Sequence, residues 1–284
     1  MTSRHSWPGR VRERLERDGL MAAKGLYQAI RGRRDGAAQP CVSFIAGVQR
    51  SGTNMLMDVL ERSFATDVIH ERDRRAFERF QMRAPEVIQA MVERSRAGHF
   101  IIKSLCELQH LSHLMQVFAP ARSVWIVRDY HDVVNSMRVS FGNQARQVKR
   151  IATDRDSDGW QGQGMSDATH ALVRARVHED ISDTSAAALI WYFRNQLFFD
   201  QGFDHDPRVL LVRYESLVTH PVSEFQRIFA FLGLAYRPWH SRKVVPHSIR
   251  KARQPEIEAP IRELCAAMTA RFDDLRPLAG EVVP

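Results

Sequence analysis

The run Phe44-Ile45-Ala46-Gly47-Val48-Gln49-Arg50-Ser51-Gly52-Thr53-Asn54-Met55-Leu56 constrains the fold more than any other part of the chain. An apolar strand breaks there into a Gly/Ser/Thr loop, and the loop opens a helix with Met55, Leu56, Val59 and Leu60 on one face. Gly47 and Gly52 permit a tight turn that exposes consecutive N–H groups. The first turn of the helix adds unpaired donors and the positive end of a dipole. Phosphate is the expected guest. The G-x-x-x-x-G frame matches a nucleotide-triphosphatase phosphate loop, but Thr53 stands where that loop has its lysine and Asn54 where it has the metal-binding hydroxyl. The side-chain cation that remains is Arg50, which suits a phosphate or sulfonate handled without an obligatory magnesium ion.

A second cluster points to the same chemistry. Arg122-Ser123-Val124-Trp125-Ile126-Val127-Arg128-Asp129 is an apolar run ending in charges, and helical spacing begins near Asp132. Arg128 then stands at the carboxyl end of a strand and Ser136 one to two turns into a helix, so both can address one anion at the sheet edge where α/β folds place ligands. With these residues in view, Gly47 to Leu56 resembles the 5′-phosphosulfate loop of the sulfotransferase family, and Ile126-Val127-Arg128-Asp129 with Ser136 resembles its 3′-phosphate site. Val212-Arg213-Tyr214-Glu215-Ser216-Leu217 through Phe231-Leu232-Gly233-Leu234 is similar to a third block of that family. The resemblance covers roughly residues 41–275. It implies a three-layer α/β/α fold with a five-stranded parallel sheet of the P-loop-containing nucleotide-binding type. It also implies a sulfonate donor, 3′-phosphoadenosine-5′-phosphosulfate (PAPS), used without a metal.

Composition fits one α/β domain. The 284 residues are 44% hydrophobic and 26% charged, enough for a single core with extensions. Cys41, Cys106 and Cys265 have no paired spacing, which argues against a disulfide framework or a zinc knuckle and for a reducing compartment. No apolar run reaches the roughly 20 residues that span a bilayer, and the N-terminus lacks a signal-peptide core, so a cytoplasmic protein is expected. The net charge of +8 is spread along the whole chain without a helix-turn-helix, finger or RNP pattern, so no nucleic-acid partner is expected. A donor carrying about four negative charges is itself steered by such a field. Residues 1–40 form a basic extension with nine Arg and Lys against four acids, and loosely periodic Val11, Leu15, Met21, Leu26 and Ile30 make it either a solvated helix packed beside the core, the favoured reading, or an amphipathic helix in peripheral contact with anionic lipid.

Residues 41–284 read as one domain. Strands are expected at 42–48, 66–70, 99–104, 122–128 and 208–214, with helices over 53–63 and over 74–95, the latter broken near Pro85. Strands alternating with helices imply parallel pairing and right-handed crossovers. Residues 142–183 are richer in glycine and charge and longer than ordinary connections, which predicts a lid or acceptor-binding insertion with a short helix near Leu172–Val177. Ala186 to Phe199 reads as a buried helix.

Sulfonate transfer needs a base beside the sulfonate and cations near the departing oxygen. Arg50 is placed for the second task. Cytosolic members of the family have a histidine base after the third strand, but here Ile101-Ile102-Lys103-Ser104-Leu105-Cys106 offers none. Glu71 leaves the second strand at the same sheet edge, in a position that resembles the catalytic glutamate of tyrosylprotein and carbohydrate sulfotransferases. The same resemblance makes Lys103 a ligand of the sulfonate and bridging oxygen. Asp73 stands where the tyrosylprotein pattern has an arginine, which argues against a peptide-tyrosine acceptor. His70 is a rival base on the opposite face of the strand, and Glu107 and His110 are further candidates. Tyr214 is a candidate neighbour of the adenine. Ser248, Arg250 and Lys251 occupy the place of the family's C-terminal donor-binding loop. His110 and His113 have i,i+3 spacing without a third ligand in helpful register, so no metal site is assigned. A carbohydrate, a lipid-linked sugar and a small hydroxylated metabolite all remain open as acceptors. A P-loop kinase or nucleotide hydrolase and a non-catalytic nucleotide-binding module are the alternative readings.

Overall fold

In the computed structural model the described residues are 7–32, 38–246 and 253–275. Helix α1 (Trp7–Arg31) precedes β1 (Cys41–Gly47), α2 (Thr53–Glu61) and β2 (Thr66–Ile69). A hairpin of β3 (Phe77–Glu78) and β4 (Gln81–Met82) leads to α3 (Pro85–Arg94), β5 (His99–Ser104), α4 (Leu111–Val117) and β6 (Ala121–Val127). Then come α5 (Tyr130–Ser140), α6 (Gln144–Thr153), α7 (Asp167–Arg174) and α8 (Asp183–Asp200). The described chain closes with β7 (Val209–Arg213), α9 (Tyr214–Thr219), α10 (Pro221–Leu232) and α11 (Ala259–Asp274).

Five strands form one sheet in the order β2-β5-β1-β6-β7, every pairing parallel. Alternation along each strand feeds two cores. Phe44, Phe100, Ile102 and Trp125 pack under α4, α5, α8 and α11. Ile45, Ile101, Val124, Ile126 and Val212 pack under α2, α9 and α10. Both faces are covered, which is why these strands read as continuous apolar runs rather than alternating ones. Because β1 lies between β5 and β6, the connection from β1 runs to β2 on one side and the connection from β5 crosses to β6 on the other. The crevice opened there collects the residues that follow each strand.

One feature departs from the sequence reading, and two others take a form that it left open. Residues 74–95 are not one broken helix: Phe77 N–H and Ala76 N–H bond back to Asp73 O, a two-residue hairpin follows, and Pro85 starts α3 instead of interrupting it. Residues 142–183 fold into α6, a 3-10 turn at Gly159–Gln161 and α7, with Val148, Ile151 and Val173 fully buried in the core. Helix α1 docks through a polar face, where buried Lys24 donates to Glu61 O (2.8 Å) and Thr66 Oγ1 (3.1 Å) and Gln28 donates to Phe64 O and Thr66 O. Its Leu15, Leu26 and Ile30 face outward. No helix among the described residues is long and apolar enough to cross a membrane.

The hairpin tip is strained and its base is pinned. Arg79 (φ 49°) and Phe80 (φ 69°) form the two-residue loop, so both sit in the left-handed region that a type I′ turn demands and that Asn-Gly normally supplies. Each costs about 1–2 kcal/mol relative to a residue that tolerates this region. Met82 N–H donates to Glu107 Oε1 at 2.6 Å, which ties the hairpin to the loop after β5. Burial pushes the Glu107 carboxyl up to about 7. A carboxyl whose folded pKa lies above its unfolded value favours folding only while protonated, so its contribution is full below the unfolded value and is lost as pH rises toward about 7. Glu107→Gln keeps the acceptor oxygen without the charge. It should be more stable than the parent by up to about 3 kcal/mol near pH 8 and equal to it near pH 4 in urea melts. A difference independent of pH would contradict this assignment.

Candidate functional site

The exits of all five parallel strands bring chemistry to one edge of the sheet. The loop after β1 supplies Gln49 to Asn54, β2 leads to Glu71, β5 carries Lys103, β6 leads to Arg128, and β7 leads to Tyr214. A cavity of about 370 Å³ opens among them, lined by Arg50, Gly52, Thr53, Asn54, Lys103, Arg128 and Ser136. Glu71, Gln49, Leu105, Cys106, Arg79, Phe80, Phe141 and Trp160 complete the lining.

The phosphate loop takes the shape its glycines allow. Gly47 has φ 145°, and a Cβ there would lie 2.5 Å from Ile126 O; Gly52 has φ 100°, and a Cβ there would lie 2.3 Å from the Tyr214 ring. Arg50, without a glycine's freedom, is also left-handed at φ 70°. No side chain caps α2 at Gly52, so its first-turn N–H groups face the cavity end as free donors. Ser51 Oγ is fully buried and has no hydrogen-bond partner among the described residues. Loop, helix start and buried hydroxyl together make a cradle whose donors suit a multiply charged anion.

Lys103 is the electrostatic centre of the cavity. It is only 2% exposed, and its Nζ lies 2.6 Å from Glu71 Oε2 and donates to Asn54 Oδ1 at 2.7 Å. Arg50 turns the other way, its Nε donating to Ser136 Oγ at 2.8 Å. Arg128 sits beside Arg50, donating to Arg50 O at 3.3 Å, with Asp132 at 3.4 Å and the Tyr214 ring 4.3 Å beneath its guanidinium. Trp191 Nε1–H holds Arg128 O at 3.0 Å, and Asp129 caps α5, the helix that carries Ser136, by accepting from His131 N and Asp132 N. Glu215 in turn accepts from Asp129 N at 3.0 Å.

The structure separates the candidate bases. Glu71 lines the cavity, whereas His70 points away, its Nε2 3.4 Å from Glu61 Oε1 under α1. Asp58, Glu61 and His70 have ligand atoms within 4.8 Å of one another, but Arg17 already pairs with Glu61 at 3.1 Å and none of the three lines the cavity. Glu107 is buried and occupied by Met82 N–H; His110 and His113 lie on the surface. Tyr214 supports Gly52 and Arg128 from behind and is not part of the lining. Ser248, Arg250 and Lys251 lie outside the described residues. Cys106 lines the cavity as an inert group, since burial pushes its thiol up to about 12.

Sequence reasoning missed Arg79, Phe80, Phe141 and Trp160. The Arg-Phe pair carries no turn signature and was absorbed into an expected helix. Trp160 stood between Gly159 and Gly162 in a stretch read as a lid, and a lone aromatic in that setting was the available signal.

Comparison with known proteins gives the family and the fold. A sulfotransferase family model matches residues 65–238. No curated protein sequence matches the chain. Among solved structures, a sulfotransferase domain from the curacin biosynthetic pathway shares the fold, with a TM-score of 0.53 at 13% identity over 82% of this chain and 99% of that one. A sulfotransferase from Alicyclobacillus acidocaldarius gives a TM-score of 0.49 at 16% identity, over 84% of this chain and 96% of its own. Mouse sulfotransferase SULT7A1 complexed with PAP gives 0.43 at 15% identity, over 84% of each chain. With a family model spanning more than half of it and a phosphate cradle at the expected sheet edge, the chain belongs to the sulfotransferase family, whose members take their sulfonate from PAPS.

Proposed function

We propose that the enzyme transfers a sulfonate from PAPS to a hydroxyl or amine of a carbohydrate, glycolipid or small-metabolite acceptor, with Glu71 as the base. The observation that carries this reading is the Glu71–Lys103–Asn54 chain, which joins a carboxylate, a buried cation and the phosphate loop across 2.6 and 2.7 Å contacts. The cradle fits the donor: Ser51, Gly52, Thr53 and Asn54 would hold its 5′ end, and Arg128 and Ser136 its 3′-phosphate. Arg50, already bonded to Ser136, would bridge the two sets. The donor supplies an activated sulfonate and departs as the bisphosphate.

Glu71 would take the acceptor proton at the carboxylate oxygen that Lys103 does not occupy. Lys103, buried and fixed by Asn54, would hold positive charge where the leaving oxygen gains its negative charge, at low local dielectric and without reorganisation. Arg128 is fixed from three sides, by Trp191, Asp132 and Tyr214, so it is preorganised for an anion. Thr53 in place of the loop lysine weighs against a magnesium-dependent kinase or hydrolase. The outward Leu15, Leu26 and Ile30 of α1 support peripheral contact with a lipid surface.

Glu71→Gln tests the base. Loss of a general base removes typically 10²–10⁴-fold of rate, so kcat should fall by about 10²-fold or more while affinity for 3′-phosphoadenosine-5′-phosphate (PAP) stays within about twofold. His70→Ala should leave kcat within about threefold. An active Glu71→Gln enzyme, or a His70→Ala enzyme as damaged as expected for Glu71→Gln, would transfer the role elsewhere.

A further inference from the structure

The lining left over once the proposed donor residues are set aside carries three aromatic rings. Phe80 is 58% exposed and Phe141 43% exposed although both are large and apolar, and Trp160 completes the rim above Leu105 and Cys106. The Trp160 ring is held in place. Arg194, 1% exposed in α8, donates to Trp160 O at 3.1 Å and to Leu105 O at 3.4 Å, and its guanidinium lies 4.9 Å from the Trp160 ring. The hairpin that presents Phe80 is pinned at its base by Glu107 and keeps Arg-Phe in a turn where Asn-Gly would relax the backbone. Strain retained at a cleft, on side chains that the fold does not use, marks those side chains as functional.

Polar partners on this side are few. Gln49 Oε1 is approached by Gln161 Nε2 at 3.5 Å, and the remaining groups are Glu71 and Arg79. Arg79 has no hydrogen bond or ion pair among the described residues and is a cation beyond those assigned to the donor. A sugar would find few protein partners for its hydroxyls here, whereas a flat ring stacks on Phe80 and Trp160 without needing them. From this geometry we infer that the acceptor is a small phenol-type alcohol bearing an anionic substituent, its ring held by Phe80 and Trp160, its negative group by Arg79, and its hydroxyl turned to Glu71. The inference rests on the sulfonate-transfer reading and narrows it. A bond forms from the phenolic oxygen to sulfur, the sulfur–oxygen bond to the donor phosphate breaks, and the phenolic proton goes to Glu71.

The test is acceptor kinetics with 4-hydroxyphenylacetate, phenol, tyramine and glucose, alongside a thermal-shift titration with PAP. The parent enzyme should prefer 4-hydroxyphenylacetate over tyramine by about tenfold or more in kcat/KM and show no transfer to glucose. Arg79→Glu should invert the order of 4-hydroxyphenylacetate and tyramine, because the rim charge is reversed. The double variant Arg79→Asn/Phe80→Gly relieves the turn, so its Tm should rise while KM for 4-hydroxyphenylacetate rises about tenfold or more and the PAP shift is unchanged. Transfer to glucose at a comparable rate, no transfer to any phenol by an enzyme that binds PAP, or full activity of the double variant would each overturn the acceptor assignment. Loss of PAP binding in the parent enzyme would instead overturn the sulfonate-transfer reading itself.

Discussion

A lysine ammonium that is 2% exposed, as Lys103 is, is tolerated only with partners, because burying an unpaired charge is far costlier than any single contact returns. Its partners here, Glu71 and Asn54, come from the exit of β2 and from the first turn of α2. Lys103 itself belongs to β5, which lies between β1 and β2 in the sheet. One buried cation therefore fixes three neighbouring strand exits to each other and sets the distance between the base candidate and the phosphate cradle. The geometry of the cavity follows from that constraint. Arg128 plays the matching part on the other side of β1, where Trp191, Asp132 and the Tyr214 ring immobilise it.

Backbone strain is distributed unevenly. Among described non-glycine residues in the left-handed region, Arg50, Arg79 and Phe80 line the cavity, and Asn143 does not. Asn tolerates that conformation and the other three do not. The chain thus keeps unfavourable backbone where long side chains must be aimed into the cleft. Rigid supports, the β1–β6 approach at Gly47 and the Glu107 contact to the hairpin, hold that strain in place.

What the sequence made legible follows from physics that is local. The five strands lie within a residue or two of their expected ranges because their apolar runs and the breakers after them are short-range signals, and the phosphate loop was readable because Gly47 and Gly52 are needed by the backbone itself. Arg128 was read from its place at a strand end, Arg50 from its place in the loop, and Lys103 from the family resemblance alone. The hairpin at 77–82 was illegible: Arg79 and Phe80 are poor turn formers, and tertiary pinning by Glu107 overrides their preference. The order of residues 142–183 was equally hidden. It depends on Val148, Ile151 and Val173 packing against the helix Asp183–Asp200 and on a buried arginine, Arg194, that receives no sequence signal. That Glu71 and not His70 faces the cavity was fixed by Glu61 and by α1, elements distant from both in pattern.

A donor site built from the phosphate loop and from Arg128 with Ser136 can be probed by calorimetric titration with PAP in EDTA, with AMP as the ligand lacking the 3′-phosphate. Binding should be metal-independent and of about micromolar affinity, weaken by roughly tenfold or more for AMP and, in Arg128→Ala, fall to the AMP level. Equal affinity for the two nucleotides, or binding that requires magnesium, would contradict it.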